Sequence, residues 1–85
     1  MNKIEQNFKI GDTVELSDIA LENENYTDLI GESEKLIITE VYTSDKEHPG
    51  FDASVGMALY SVKRKKTEAQ LPFDFYDYEL ELIIQ

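Results

Sequence analysis

Acid–base or metal chemistry in this chain would have to start from its single histidine, His48, which stands beside Pro49 among the carboxylates Asp45, Glu47 and Asp52. An imidazole with loop carboxylates is a weak donor set for a transition metal, which prefers several nitrogen or sulfur ligands. Calcium would need the ligand spacing and terminal glutamate of a dedicated loop, and this segment has neither. A serine nucleophile would need His48 as its base and a glycine-rich oxyanion turn next to it, and no such turn is adjacent. The reading is therefore that His48 lies in a solvated loop, that the chain carries no catalytic or metal-binding residue and no cofactor, and that it is not an enzyme. With no cysteine, thiolate catalysis, disulfides and Cys-ligated zinc are excluded.

What remains is surface chemistry. The 85 residues carry 18 acids against 8 basic residues, a formal charge of −10. Ten of the acids fall in residues 1–43, and four of the bases are consecutive: Lys63, Arg64, Lys65 and Lys66. Nucleic acid is bound by neutralising phosphates, so this balance disfavours it everywhere except at that basic stretch. Those four residues either contact phosphates or keep an exposed hairpin soluble. Glu22, Glu24, Asp28, Glu32 and Glu34, with Glu15 and Asp18, form either a solvated face or an imitation of a phosphate array. Near the end, Phe73, Phe75, Tyr76 and Tyr78 crowd into six residues with Asp74 and Asp77 between them. Alternation cannot bury all four rings on one face, so exposed members, with Tyr26, would make a patch with an acidic rim for a protein partner that carries a basic surface.

The elements that must position these groups read as short strands. Residues 12–16 alternate with Val14 and Leu16 on one face, after a turn at Gly11 and Asp12. Residues 36–43 form the strongest strand, rich in β-branched and aromatic side chains. Residues 57–63 put Ala58, Tyr60 and Val62 on one face and Met57, Leu59 and Ser61 on the other. A hairpin turn over 67–70 leads to an edge strand at 71–75, with Pro72 near its start. A 3₁₀ turn at 76–78 precedes a closing strand, 79–83, with Leu80 and Leu82 inward. Residues 17–34 read as a long ordered loop or a short helical turn, because Asn23, Asn25 and Thr27 oppose a stable helix. Residues 44–54 read as a loop. Ile4, Phe8 and Ile10 are expected to pack as an N-terminal arm, residues 1–10, across one end. At this length the whole chain, 1–85, is one domain.

In order, Phe8-Lys9-Ile10-Gly11-Asp12-Thr13-Val14, Gly31, Leu36-Ile37-Ile38-Thr39-Glu40-Val41, Tyr60-Ser61-Val62-Lys63 and Glu79-Leu80-Glu81-Leu82-Ile83 resemble the strands and turns of SH3-like small barrels, the kind found in bacterial and phage proteins and in KOW-type domains. The resemblance implies an all-β fold, a five-stranded SH3-like small barrel. The chain departs from RNA-binding KOW-type domains at Glu32-Ser33-Glu34-Lys35, where they tend to carry a second glycine. It departs from polyproline-binding SH3 domains in having no tryptophan. Fold likeness alone assigns no activity. The expected protein is a non-enzymatic binding module, monomeric or a small homo-oligomer; the alternative is an acidic inhibitor that mimics nucleic acid. With no apolar leader and no run near the roughly 20 residues of a membrane span, it is expected in the cytoplasm.

Overall fold

The computed structural model describes residues 4–84, so the first three residues of the expected arm lie outside the described residues. The fold is all-β. Five strands, β1 (Thr13–Leu16), β2 (Leu36–Tyr42), β3 (Leu59–Arg64), β4 (Gln70–Tyr76) and β5 (Leu80–Leu82), form one antiparallel sheet in the order β4-β3-β2-β1-β5. The outer strands β4 and β5 share no ladder; a 3₁₀ turn, Asp77–Glu79, joins them in sequence. The sheet is therefore open.

Gly11 turns the chain into β1 with φ +94°, a conformation that penalises any side chain. The turn is fastened by Gly11 N–H to the Ile38 carbonyl at 2.8 Å and Lys9 N–H to the Asp12 carboxylate at 3.0 Å. β2 carries a bulge at Thr39, where Ile38 pairs with Val62 but Glu40 already pairs with Ser61; the Thr39 hydroxyl spans the gap by donating to the Ser61 carbonyl. A second irregularity lies between β3 and β4 around Pro72, which has no N–H to give. At the same irregularity the Gln70 side-chain amide donates to the Val62 carbonyl at 3.0 Å. The β3–β4 hairpin turns at 65–68, slightly before the expected 67–70, and Glu68 takes a positive φ of 61° there.

Val14, Leu36, Ile38, Tyr60, Val62 and Phe75 are fully buried and form the centre of the core. The connection from β1 to β2 is more regular than a loop, with two single-turn helices, α1 (Asp18–Leu21) and α2 (Glu24–Thr27). The polar residues that argued against helix act at its ends. Ser17 Oγ accepts from Ala20 N–H, and Asn23 Oδ1 from Asn25 N–H, as N-caps do. Ala20 and Ile30 from this segment reach the core.

Two expectations about which side chains point inward are corrected. Ile10 is 61% exposed, because it lies in the turn that Asp12 N–H closes on the Lys9 carbonyl at 3.1 Å. Leu82 is 46% exposed at the end of an outer strand, beyond the core's edge, where it lines a depression with Phe8, Lys9 and Asp12. In β3 both faces are covered: Leu59 and Ser61 are as buried as Tyr60 and Val62, and Met57 makes only an isolated parallel bridge with Glu5.

Candidate partner-binding surface

The aromatic residues near the C-terminal end divide into an inner and an outer set. Phe75 is fully buried, and Tyr26 of α2 meets it edge-on at 4.8 Å and Phe73 at 5.2 Å. These three rings bind α2 to β4. Burial, reinforced by the neighbouring Glu79, pushes the Tyr26 hydroxyl up to about 12. Phe75 thus offers no surface to a partner, contrary to the expectation from spacing, and Tyr26 and Phe73 are half-buried.

Asp77 is also drawn inside. Its carboxylate accepts the Tyr60 hydroxyl at 2.7 Å, the Asn7 backbone N–H at 2.9 Å and the Asn7 side-chain amide at 2.8 Å. A buried carboxylate needs such partners. Tyr60 in turn accepts from Phe8 N–H, and burial beside Asp77 raises its hydroxyl well above the ordinary tyrosine value. Asp77 therefore pins the N-terminal arm instead of rimming a binding patch.

The outer set is Tyr76 and Tyr78. Their rings stack nearly parallel, 6° apart, with centroids at 6.4 Å, and Tyr78 remains 45% exposed. Tyr76 is fixed by Asp52 N–H, which donates to its hydroxyl at 2.9 Å, and by Phe51 at 6.4 Å. Ser17 sets α1 beside this ridge: its hydroxyl donates to the Tyr78 carbonyl at 2.9 Å, and its N–H to the Glu79 carbonyl. On α1, Ile19 is 58% exposed. α1 thus lies against the 3₁₀ turn that carries Tyr78, and each contributes one exposed large apolar side chain, Ile19 and Tyr78, to this corner. Neither spacing nor composition singled out Ile19 for it.

Acids follow this corner along the chain. Asp18, Glu22, Glu24, Asp28 and Glu32 are exposed and form no ion pair among the described residues. Glu34 does not belong with them. It is half-buried, accepts Gly31 N–H, and grips Arg64 Nη1 at 2.5–2.6 Å. Burial opposes its ionisation, but the Gly31 amide and Arg64 outweigh that and hold the carboxyl below its ordinary value. Arg64 also donates to the Leu29 carbonyl.

The basic stretch is likewise divided. Arg64 turns onto Glu34, and Lys63 pairs with Glu68 at 3.0 Å, leaving Lys65 and Lys66 exposed at the hairpin tip. These two meet Lys35, whose carbonyl accepts Lys65 N–H, around a shallow depression of about 460 Å³ that includes Ser33. Lys35 lies thirty positions away in sequence, so the stretch alone gave no sign of it.

His48 differs from the solvated group expected. Its partner is Asp74, with Nε2 at 2.6 Å from Oδ2, and its ring meets Tyr42 edge-on at 4.8 Å. Asp74 Oδ1 accepts the Ser61 hydroxyl at 2.6 Å, and Ser61 Oγ lies 3.1 Å from the Tyr42 hydroxyl. The order is Ser61, Asp74, His48, so the carboxylate separates hydroxyl from imidazole, and general-base activation of Ser61 by His48 has no contact to run through. Of the neighbouring carboxylates that a metal or base role at His48 would need, Glu47 accepts from Thr43 and Asp52 from Ser54. Among the described residues no group of three or more His, Cys, Asp or Glu side chains is placed to hold a metal ion, and no helix is long and apolar enough to cross a membrane.

Comparison with protein-family models, with curated proteins and with solved structures returned no match for the chain.

Proposed function

We propose that the chain is a non-catalytic docking module that binds a protein partner bearing a basic surface. The observation that carries this reading is the Ser17 bridge, which holds α1, with the exposed Ile19, against the 3₁₀ turn that carries the exposed Tyr78, in a segment whose exposed acids form no ion pair among the described residues. Apolar anchors on a fixed backbone, rimmed by charge of one sign, suit a partner that inserts an apolar side chain flanked by Lys or Arg. The strand order β4-β3-β2-β1-β5, with a 3₁₀ turn between β4 and β5, supports treating the sheet as an open variant of the SH3-like small barrel.

A second reading is favoured by one observation, the run of exposed acids from Asp18 to Glu32 without ion-pair partners among the described residues. On that reading the acids imitate a phosphate array and block a nucleic-acid-binding protein. The two separate by salt and by substitution. A pull-down with the wild type, Tyr78→Ala and Ile19→Ser, at low salt and at about 0.5 M salt, where screening falls to roughly 4 Å, decides between them. Docking at the corner predicts a partner that survives high salt and is lost with either substitution. A partner lost at high salt and indifferent to both substitutions refutes the corner and favours mimicry.

A further inference from the structure

Both ring nitrogens of His48 are held by groups of fixed character. The Gly50 backbone N–H can only donate, so Nδ1, 2.9 Å away, offers it a lone pair. Nε2 faces Asp74 Oδ2 and carries the ring hydrogen. The arrangement therefore requires the neutral Nε2–H tautomer. A second proton has one place to go, Nδ1, where it confronts the Gly50 N–H. The same proton turns the Asp74 contact into a charge-assisted one. Protonation thus tightens the ring on β4 and expels its own loop.

Contacts run without a break from Gly50 to the exposed corner. Phe51, 6% exposed, donates its N–H to the His48 carbonyl at 3.0 Å and packs on Tyr76. Asp52 N–H holds the Tyr76 hydroxyl, and Tyr76 supports Tyr78. We propose that residues 48–52 form a proton-operated latch: closed over neutral His48 it fixes Tyr76 beneath Tyr78, and on formation of the imidazolium it opens at Gly50 and frees the Tyr76 hydroxyl. The latch stands on this geometry alone. That its opening weakens partner docking rests on the corner being the docking surface.

The other groups facing His48 do not supply the same response. From β4 there is Asp74, from β2 the Tyr42 phenol, and from β3 the Ser61 hydroxyl behind Asp74. Its own loop carries Asp45, Lys46, Glu47 and Asp52. The Thr43 amide and hydroxyl hold Glu47 below the ordinary carboxylate range, and the Ser54 hydroxyl and amide do the same for Asp52. Both stay ionised over the interval in which imidazoles titrate, about pH 5 to 8.

The test is an NMR titration of the full chain across that interval, following the His48 ring nitrogens, the Gly50 amide and the Tyr76 ring. The expected starting state has Nε2 protonated and Nδ1 bare. Acidification then shifts Nδ1, the Gly50 amide and the Tyr76 ring with one common midpoint, and the protection of the Gly50 amide, taken against the intrinsic exchange rate at each pH, falls about tenfold, the factor for one net hydrogen bond. In His48→Gln, whose amide does not titrate, the Gly50 and Tyr76 responses vanish. A protonated Nδ1 at the start, a Gly50 amide indifferent to the ring's titration, or responses that persist in His48→Gln would each overturn the latch. The wild-type titration decides even if the variant fails to fold. It involves no partner, so failure of the docking reading leaves it unaffected.

Discussion

The Tyr60 hydroxyl donates to the Asp77 carboxylate at 2.7 Å in the interior, joining β3 to the 3₁₀ turn that leads into β5. Because Asp77 also holds both amides of Asn7, Asp77→Ala strands three donors at once. Denaturant unfolding should show a loss of about 2–4 kcal/mol, whereas Tyr60→Phe, which removes one donor and leaves the anion two, should lose about 1–2 kcal/mol. Equal losses in the two variants would show that Asp77 is not the hub.

Alkaline pH should unfold the protein partly through Tyr26. Its hydroxyl is raised from 10.0 to about 12, so the folded state favours the neutral phenol. Stability from this group is fully present below pH 10.0 and is lost as pH rises through about 12. Tyr60, raised by burial and by Asp77, acts in the same sense. Tyr26→Phe should therefore retain more of its neutral-pH stability between those two values than the wild type does, as measured by denaturant midpoints.

Glu34 behaves oppositely. Its depressed carboxyl contributes stability that is present above the ordinary glutamate value and lost as pH falls through the lower folded one. Arg64→Ala removes the partner and the Leu29 contact together. It should cost about 2 kcal/mol, flatten the acid limb of the stability profile, and speed amide exchange in residues 29–35.

Glu15 and Glu81 sit directly opposite each other on β1 and β5. Like charges in that position repel, so Glu81→Lys should raise stability by about 0.5 kcal/mol at low salt and by less at high salt. A gain that ignores salt would point to propensity in place of charge.

The strands were legible because their signal is local. The β-branched run at Leu36–Tyr42 and the alternation at Thr13–Leu16 need no knowledge of the rest of the chain. Burial at strand ends was less so: Leu82 obeys the alternation yet lies past the core, and no pattern in sequence marks where a core stops. The candidate surface was only half legible. Crowded rings at 73–78 announced that some must be exposed, but choosing Tyr78 over Phe75 required knowing that α2 brings Tyr26 against β4. His48 with Asp74, Glu34 with Arg64, and Lys35 with Lys65 are pairs that only the sheet brings together. Charge counting treated them as free. The asparagine at 23 was misjudged for a simpler reason: a side chain that disfavours the middle of a helix is well suited to begin one.

The position of Pro72 in the outer strand β4 has a consequence for crowding. An outer strand is a template on which further chains can grow into fibrils, provided its row of backbone donors is continuous. Along β4 the residues bonded to β3 are the odd-numbered ones, from Ala69 to Asp77, so Pro72 falls among those facing outward, and there the row lacks a donor. At high concentration the protein is thereby protected from growing strand by strand along β4.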